Sequence, residues 1–357
     1  MNSEFYIGKT LISQHSAPYF IADIAANHDG DLQRAYKLIE LAKQAGADVA
    51  KFQNFKAEKI VSDYGFKNLG GQLSHQKNWK KSVFETYADA SVSDDWSPLL
   101  KQKCDEVGIE YMTSAYDFKS VDLADNFVNA FKIGSGDISW HEMLEYTAKK
   151  NKPMLVATGA ASLEEVQMAV EKILPLNPNL CLMQCNTNYT ASSENFKYIN
   201  LRVLKAYAQM YPQMVLGLSD HTIGHTAVLG AIALGATVIE KHFTDDNDRI
   251  GPDHKFSTTP TQWAAMVKDA NNLYNALGDG VKRVEENEKQ TCIVQKRGLY
   301  LVRDIQKGEI ISAQDLQPLR PRSDEGFEPW QANLAVGKAA KCDLAKGVML
   351  KKGDIEG

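Results

Sequence analysis

Short apolar runs rich in Val, Ile, Phe and Met recur along most of this chain, and each is followed by a stretch with helical spacing. This alternation occurs eight times, which favours a (β/α)8 TIM barrel, an α/β fold, over an open doubly wound sheet. Barrel enzymes carry their chemistry at the C-terminal ends of the strands, so those ends are the candidate functional positions. Strands are predicted at residues 19–24, 47–53, 109–114, 129–134, 153–158, 180–186, 214–220 and 236–242.

Several segments depart from this alternation. Residues 1–18 precede the first strand and are predicted to form a hairpin that caps the floor of a barrel domain spanning residues 1–280. Residues 62–93 are too long for an ordinary loop and are expected to shape a ligand site. A charged linker is predicted at 281–296. The last segment, 297–357, uses two Lys-Gly pairs as predicted hairpin turns, which indicates a small β-rich domain.

The composition argues against several classes of protein. The five cysteines are scattered without a Cys-x-x-Cys pair, so neither a disulfide framework nor a thiolate metal site is indicated. A net charge of −5 gives no general electrostatic reason to bind nucleic acid or an anionic membrane. No apolar run reaches the roughly 18 residues of a membrane span, and the N-terminus lacks the apolar core of a signal peptide. A cytoplasmic location is therefore expected.

Polar and charged side chains stand where the predicted strands end. Lys51 and Gln53 lie two residues apart, so both point to one face of the second strand, and Glu240 and His242 share a face of the eighth. Buried charges are costly unless they are paired or liganded, so core packing does not explain this concentration. The residues selected on position are Asp23, Lys51, Gln53, Ser114, Lys132, Ser135, Ser219, Asp220, His221, Glu240 and His242.

Lys51 and Lys132 come from separate strands, and hydroxyl groups and a Gly-rich turn lie beside them. Together they predict a pocket for a small ligand with two anionic ends, such as a phosphorylated carboxylic acid. The alternative is that the lysines form structural ion pairs with Asp23 and Asp137 inside the barrel. For each lysine alone the two interpretations are about equal, but the two lysines together favour the anion site.

His221 and His242 follow adjacent strands and could supply two imidazoles to one divalent metal, with water or substrate oxygens completing the shell. Such a site suits Mn, Co, Fe or Zn better than Mg. The alternative is a pair of structural histidines hydrogen-bonded to Asp220 and Glu240. Beside an anion pocket we favour the metal site, in which Glu240 or Asp220 would orient a histidine.

Blocks of sequence along almost the whole chain resemble the sialic acid synthases and their legionaminic and pseudaminic acid relatives. The tail resembles the antifreeze-like (SAF, β-clip) domain that follows these barrels. The blocks that carry the resemblance are FIADIAANHDGDLQRAYKLIELAKQAGADVAKFQNFKAEKIVS, FKIGSGD, LVATGA, GLSDHTIGH and IEKHFTDDNDRIGPDHKFS, with the LRP, VGK and KG landmarks of the tail.

The resemblance implies a metal-dependent synthase that condenses phosphoenolpyruvate with an acylamino-hexose aldehyde and releases phosphate by C–O cleavage. The acceptor would be N-acetylmannosamine or a 2,4-diacetamido-trideoxyhexose. We expect Mn²⁺ as the cofactor, with Co²⁺ or Mg²⁺ as alternatives. Two other interpretations stay open: a metal-dependent barrel aldolase or isomerase acting on a sugar phosphate, and a non-catalytic scaffold that binds glycans.

The resemblance also implies roles for individual residues. By motif position, Asp23 and Asp137 look like the catalytic carboxylates, and His221 and His242 look like the metal ligands. The residues implied to bind phosphoenolpyruvate are Lys51, Ser114, Lys132, Ser135 and Ser219. The residues implied to bind the sugar are Gln53, Tyr189, Asp253 and Arg320.

In this family the tail domain covers the barrel of the partner subunit, which implies a homodimer in which Arg320 touches the N-acyl group. Arg322 competes for this contact, because the segment after Arg320 carries added polar residues. Asp23 and Asp137 each stand where the family usually has Glu. Because these departures fall on the sugar side, we expect an ordinary donor and an unusual acceptor.

Overall fold

The computed structural model describes residues 2–70, 76 and 79–356 of the chain. The chain folds into two compact units, Met1–Gly278 and Asp279–Gly357, which are described one at a time. In the described part of the chain, no helix combines the length and the apolar character needed to cross a membrane.

The first unit opens with an antiparallel hairpin of two strands, β1 (Glu4–Ile7) and β2 (Thr10–Ser13). Phe5, Ile7 and Ile12 of this hairpin are buried in one cluster with side chains from the barrel strands. The hairpin therefore fills one end of the barrel interior.

Eight parallel strands close into a barrel in which β10 pairs with β3. All eight predicted strands are present, with small shifts at their ends, so the predicted TIM barrel is confirmed. The strands are β3 (Tyr19–Asp23), β4 (Val49–Asn54), β5 (Glu110–Ala115), β6 (Phe131–Ile133), β7 (Met154–Ala157), β8 (Leu180–Cys185), β9 (Val215–Asp220) and β10 (Ala236–His242).

The strand register brings the polar strand ends to nearly one level. Asp23 lies opposite Lys51 on one side and opposite His242 on the other. Ser114 in turn lies opposite Lys132. Since all eight strands run in the same direction, these side chains share the carboxyl end of the barrel.

Helices and short 3₁₀ turns connect the strands of the first unit. The helices are α1 (Leu32–Gln44), α2 (Ala57–Ile60), α3 (Asp63–Lys67), α4 (Val83–Ala90), α5 (Trp96–Val107), α6 (Phe118–Asp125), α7 (His141–Ala148), α8 (Leu163–Ile173), α9 (Val203–Met210), α10 (Thr226–Ala233) and α11 (Pro260–Leu277). The 3₁₀ turns are Ser135–Asp137, Ser193–Tyr198 and His254–Phe256.

Local sequence explains why these helices form where they do. In α1 the side chain of Asp31 caps the N-terminus by accepting the N–H groups of Gln33 and Arg34. The buried side chains of this helix recur every three or four residues, which aligns them on the face that covers the barrel. These side chains are Ala35, Leu38, Ile39 and Ala42.

The long segment 62–93 contains α3 and α4. The side chain of Ser82 accepts the N–H of Glu85 while the Glu85 carboxylate accepts the N–H of Ser82, and this capping box begins α4. Residues 71–75, 77 and 78 of the segment lie outside the described residues.

The second unit is built from short strands and turns around a small core of its own. The predicted linker 281–296 contains a helix, α12 (Lys289–Gln295), preceded by a 3₁₀ turn; the predicted domain limits stay predictions. The remaining elements are β11 (Gly298–Leu301), β12 (Leu316–Leu319), α13 (Ala332–Ala335) and the 3₁₀ turns Ala313–Asp315, Pro329–Gln331 and Lys352–Asp354.

The two Lys-Gly pairs form turns, but not the predicted hairpins. The glycines of Lys307–Gly308 and Lys346–Gly347 have φ values of 80° and 81°, a conformation that favours glycine. Ile305, just before the first turn, pairs with Leu344, just before the second, and not with the residue beyond its own turn. The two turn segments therefore pair with each other.

This pairing reveals an internal repeat. The N–H of Lys307 donates to Asp343 Oδ1 at 2.7 Å, and the N–H of Lys346 donates to Asp304 Oδ1 at the same distance. Each turn is thus held by the aspartate that precedes the other turn. The repeated pattern Asp-x-x-Lys-Gly carries the signal in the sequence, but pattern alone does not show that the copies pair.

Candidate active site

Four charged side chains meet at the carboxyl end of the barrel. Lys51 Nζ lies 2.6 Å from Asp23 Oδ2 and 3.9 Å from Glu240 Oε2. Lys132 Nζ lies 3.0 Å from Glu240 Oε1. All four side chains are buried. Glu240 therefore joins the two lysines in one network, whose formal charges cancel.

The alternative to an anion site was that Lys51 and Lys132 form ion pairs with Asp23 and Asp137. One of these pairs is present, between Lys51 and Asp23. The other is not, because Lys132 pairs with Glu240 and Asp137 forms no ion pair with any described residue. The physical reason is that Lys132 and Glu240 both point into the barrel from their strands, whereas Asp137 follows in the 3₁₀ turn beyond β6.

Burial and pairing act in opposite directions on this network. Burial raises the pKa of Asp23, and the charge of Lys51 only partly offsets it. Burial alone would raise the pKa of Glu240, but Lys132 and Lys51 together lower it to about 2. Burial alone would lower the pKa of Lys51, but Asp23 and Glu240 raise it above its usual value. Lys51 therefore keeps its positive charge in the barrel interior.

The predicted hydroxyl groups lie beside these charges. Ser219 Oγ donates to Glu240 Oε1 at 3.1 Å, and Ser135 Oγ accepts the N–H of Gly159 at 2.9 Å. Ser114 is buried on β5, opposite Lys132 in the strand register. The structure thus places Ser219 and Ser114 beside the charged network and Ser135 against the backbone of Gly159.

Gly159 was not singled out in the sequence, yet it is required for this arrangement. A Cβ atom at Gly159 would lie 2.9 Å from Ser135 Oγ and 2.6 Å from Thr187 Cγ2. Only a residue without a side chain lets its N–H reach the serine at this distance. The signal in the sequence is its position two residues after strand β7.

His221 and His242 are buried neighbours whose ring centroids lie 5.4 Å apart. Burial lowers the pKa of both imidazoles to about 3, so both are neutral at physiological pH. His221 Nδ1 donates to the carbonyl of Asn186 at 2.9 Å, which leaves the lone pair on Nε2. His242 Nδ1 is buried without a hydrogen-bond partner among the described residues.

These observations fit a pair of metal ligands. Neutral imidazoles with lone pairs at one site are what a divalent metal requires, and an unpartnered buried nitrogen is unusual in a purely structural histidine. Within residues 2–70, 76 and 79–356, no three His, Cys, Asp or Glu side chains are grouped to hold a metal by themselves. Water or substrate oxygens would therefore have to complete the shell.

Asp220 does not orient either histidine, contrary to one of the sequence-based hypotheses. Its Oδ2 accepts a hydrogen bond from Lys241 Nζ at 2.6 Å and another from Thr222 Oγ1 at 3.0 Å. Lys241 alternates with Glu240 and His242 along β10, so it points to the opposite face of the strand. The structure therefore places Asp220 in a second, separate buried ion pair.

A cavity of about 670 Å³ opens above these groups. Gln53, Tyr189 and Asp253, predicted to bind the sugar, all line it, together with Asp137 and His242. The volume lies within the usual range for small-molecule sites. The structure therefore brings three of the four predicted sugar-side residues together with Ser135 of the predicted donor side in one cavity, whereas Arg320 belongs to the second unit.

Aromatic side chains form one wall of this cavity, and they were missed in the sequence. Phe55 follows β4, and its ring centroid lies 5.3 Å from that of Tyr87 and 5.7 Å from that of Tyr116. Tyr87 belongs to α4 in the segment 62–93, which confirms that this segment shapes the cavity. The available signal was the aromatic content of that segment, which does not reveal which rings turn inward.

Asp137 and Asp253 are the two carboxyl groups that line the cavity. Burial raises the pKa of each to about 6, well above the usual value for aspartate. Asp253 Oδ2 accepts the N–H of Ala26 at 3.2 Å, which fixes its orientation. Both groups can therefore exchange protons near neutral pH.

Arg320 and Arg322 belong to the second unit. Arg322 is held by Glu328 at 2.9 Å and by Asp324 at 3.0 Å. Arg320 is exposed, and no ion pair joins it to another described residue. Of the two candidates, Arg320 is the one whose guanidinium is available to a ligand.

Comparisons with known proteins agree with this geometry. The NeuB family model matches residues 38–282, and the SAF domain model matches residues 296–356. The N,N'-diacetyllegionaminic acid synthase of Legionella pneumophila is 34% identical over 95% of this chain and 94% of its own length. The human N-acetylneuraminate-9-phosphate synthase is 33% identical over 93% of this chain and 90% of its own.

A solved structure is similar as well. The N-acetylneuraminic acid synthetase of Leptospira borgpetersenii, crystallised with citrate, is 26% identical with a TM-score of 0.71, and the match covers 82% of this chain and 95% of that one. The chain is thus an enzyme related to acid synthases, and the alternative of a non-catalytic scaffold is not supported. With its strand-end residues, barrel and C-terminal SAF domain, the chain belongs to the NeuB family.

Proposed function

We propose that this enzyme is a nonulosonic acid synthase that joins phosphoenolpyruvate to the open-chain aldehyde of an acylamino hexose and releases phosphate. The observation that carries the proposal is that two buried lysines and two neutral imidazoles meet at the carboxyl end of the barrel, where His242 lines the cavity. The names of the relatives, which are synthases of legionaminic, pseudaminic and neuraminic acids, support the product class.

The donor would occupy the deep end of the cavity. Lys51 and Ser114 would hold its carboxylate, and Lys132, with Ser135 and Ser219, would hold its phosphate. Support comes from the burial of both lysines, because desolvated charge-assisted hydrogen bonds are stronger than those in water.

Charge balance supports a divalent metal. The two lysines are already neutralised by Asp23 and Glu240, so an anionic donor would add uncompensated negative charge to a buried site. A divalent ion held by His221 and His242 would offset most of this negative charge, and when bound it would polarise the aldehyde carbonyl. We propose Mn²⁺, with Co²⁺ or Mg²⁺ as alternatives.

The acceptor would lie against the outer residues of the cavity. Gln53, Tyr189 and Asp253 would bind its hydroxyl and acylamino groups, and the aromatic wall would cover its apolar face. A bond would form between C3 of phosphoenolpyruvate and the aldehyde carbon. The aldehyde oxygen would take up a proton and become a hydroxyl, and water would add to C2 with Asp137 accepting one of its protons. Cleavage of the bond between C2 and the bridging oxygen, with loss of the proton of the C2 hydroxyl, would then give the keto acid and release phosphate.

We further propose a homodimer in which the SAF domain covers the partner's barrel. Arg320 would then reach the N-acyl group of the acceptor. Its exposed guanidinium, compared with the ion-paired Arg322, supports the choice of Arg320 for this contact.

Phosphate release tests the proposed function. The purified enzyme would be incubated with phosphoenolpyruvate, Mn²⁺ and either N-acetylmannosamine or 2,4-diacetamido-2,4,6-trideoxymannose. We expect release with at least one sugar, loss of release with a chelator, and recovery when Mn²⁺ is added back. Release of pyruvate instead, or turnover of a sugar phosphate only, would favour the aldolase or isomerase alternative.

A further inference from the structure

We propose that this enzyme also catalyses opening of the acceptor's pyranose ring, with Asp253 and Asp137 as the acid–base pair. The inference rests on the proposed function in one respect, namely that the acceptor is an acylamino hexose. It adds an activity that can be measured without phosphoenolpyruvate. It also gives the two carboxyl groups of the cavity a joint role.

The condensation creates the need for this activity. The carbon that is attacked must be a free aldehyde, yet hexoses with a free hydroxyl at C5 exist in water almost entirely as cyclic hemiacetals. A site that accepted only the open chain would depend on a very scarce form of its substrate. A site that opens the ring itself can bind the abundant form.

Ring opening needs one base and one acid, and no other reactant. The base removes the proton from the O1 hydroxyl, the C1–O1 bond becomes a carbonyl, and the C1–O5 bond breaks. The acid gives its proton to O5, which becomes the C5 hydroxyl. Two carboxyl groups in one cavity, one ionised and one protonated, are sufficient.

Asp253 and Asp137 have the required placement. They line the same cavity but come from different elements, the segment after β10 and the turn after β6. The negative charges of both carboxylates act on Tyr87. Burial raises the pKa of its phenol to about 12, and both carboxylates contribute to this shift. Tyr87 and both carboxyl groups line the same cavity, so a sugar ring bound there would lie among them.

Their oxygens are also available. The hydrogen bond from the Ala26 N–H occupies Asp253 Oδ2 and leaves Oδ1 without a partner among the described residues. In the same part of the chain, no hydrogen bond reaches the carboxylate of Asp137. Asp23 and Glu240, in contrast, are held by the lysines, so they are poor candidates for proton transfer to a sugar.

The two roles can be assigned from the surroundings. His242 also lines the cavity, and its Nδ1 is buried without a partner among the described residues, so we assign the reacting oxygen O1 to that side. Asp253 lies on this side because its Oδ2 accepts the N–H of Ala26, three residues after Asp23, and Asp23 Oδ2 is 3.7 Å from His242 Nε2. Asp253 is therefore the base at O1, and Asp137 is the acid at O5.

Ring opening leaves Asp137 in the ionisation state that the following condensation requires. After giving its proton to O5, Asp137 is left as a carboxylate, the form that can accept a proton from the water that adds to C2. Each of the two carboxyl groups has a pKa near 6, so a mixture of ionised and protonated forms exists near neutral pH.

The test is the rate at which the two anomers of the sugar interconvert. It would be measured by magnetisation-transfer NMR on N-acetylmannosamine and on 2,4-diacetamido-2,4,6-trideoxymannose, with chelator and without phosphoenolpyruvate. For a sugar that supports phosphate release, we expect the enzyme to raise the exchange rate by about 10²-fold over buffer. Asp253→Asn and Asp137→Asn should each lower this rate by about tenfold or more.

Asp105→Asn, on the outer helix α5, is the matched control and should keep the full exchange rate, with melting curves to verify folding. Phosphate release without any increase in anomer exchange by the wild-type enzyme would overturn the inference, whether or not the variants fold. Exchange without phosphate release would support ring opening and contradict the synthase proposal. Neither activity with either sugar would overturn both.

Discussion

The Nζ atom of Lys51 lies 2.6 Å from Oδ2 of Asp23, with both side chains almost fully excluded from solvent. Their backbones are directly opposite in the pairing of β3 and β4. The same Asp23 oxygen accepts a hydrogen bond from Gln53 Nε2 at 3.1 Å. Asp23 thus orients one proposed donor contact and one proposed acceptor contact at once.

Replacing Asp23 by Asn should destabilise the protein. The amide keeps the shape but leaves Lys51 without its nearest counter-charge, and breaking a buried ion pair in this way costs about 3 kcal/mol. Urea denaturation of the variant and the wild type measures the difference in the free energy of unfolding. Asp105→Asn, which breaks an exposed i,i+4 pair, is the control and should cost less than about 1 kcal/mol. Equal stability of the two variants would contradict the account of the pair.

Replacing His221 by Ala should remove one proposed metal ligand. Mn²⁺ affinity should fall by about tenfold or more, because the remaining imidazole binds alone. Electron paramagnetic resonance of free Mn²⁺ during titration measures this affinity without any turnover. His225→Ala is the control, since His225 pairs with Asp269 and does not line the cavity. The same Mn²⁺ affinity in both variants would rule out His221 as a ligand.

Replacing Gly159 by Ala should impair use of phosphoenolpyruvate. The added methyl group would press on Ser135 Oγ, so the serine would move from its place beside Lys132. We expect kcat/KM for phosphoenolpyruvate to fall by roughly tenfold or more. Gly136→Ala is the control, because a Cβ there meets nothing within 4 Å. If Gly136→Ala were the more harmful change, the proposed donor position would be wrong.

The pH dependence of the rate should reflect the ionisation of Asp137. Burial raises its pKa to about 6, and the charge that opposes this shift is that of Lys132. Tyr116 and Tyr87 also lie in the field of its carboxylate. At saturating sugar the ring is already open and Asp137 must be ionised to accept the proton of the water that adds to C2. Under this condition kcat/KM for phosphoenolpyruvate should decrease as the pH falls through 6.

Asp253 also has a pKa near 6, so variants are needed to assign the decrease. The decrease at low pH should persist in Asp253→Asn and disappear in Asp137→Asn, in pH profiles of initial rates. A wild-type profile that is flat across this range would contradict the role of Asp137.

Much of the fold could be predicted because the alternation of strands and helices in the barrel produces a repeating pattern in the sequence. Parallel strands in a barrel are buried on both faces, so each one appears in the sequence as a nearly continuous apolar run. Such runs can be recognised without knowing which strands pair with each other. The second unit was harder. Its Lys-Gly turns were visible, but pairing between Ile305 and Leu344 joins residues far apart in the sequence, which local patterns cannot show.

The candidate site was predictable only in part, for a related reason. Strand ends fix where Lys51 and Lys132 lie, but the partner of each lysine depends on the distance across the barrel, and Lys132 pairs with Glu240, not with Asp137. Tyr87 faces the cavity only because helix α4 packs against it. Contacts of this kind depend on the tertiary structure, and local sequence patterns do not reveal them.

The proposed condensation can be followed through the oxygen that joins C2 to phosphorus in phosphoenolpyruvate. With ¹⁸O at that position, Mn²⁺ and the accepted sugar, mass spectrometry should detect a nine-carbon 2-keto sugar acid without the label and inorganic phosphate with it. No nine-carbon acid, or an acid that keeps the label from the bridging oxygen, would contradict this account.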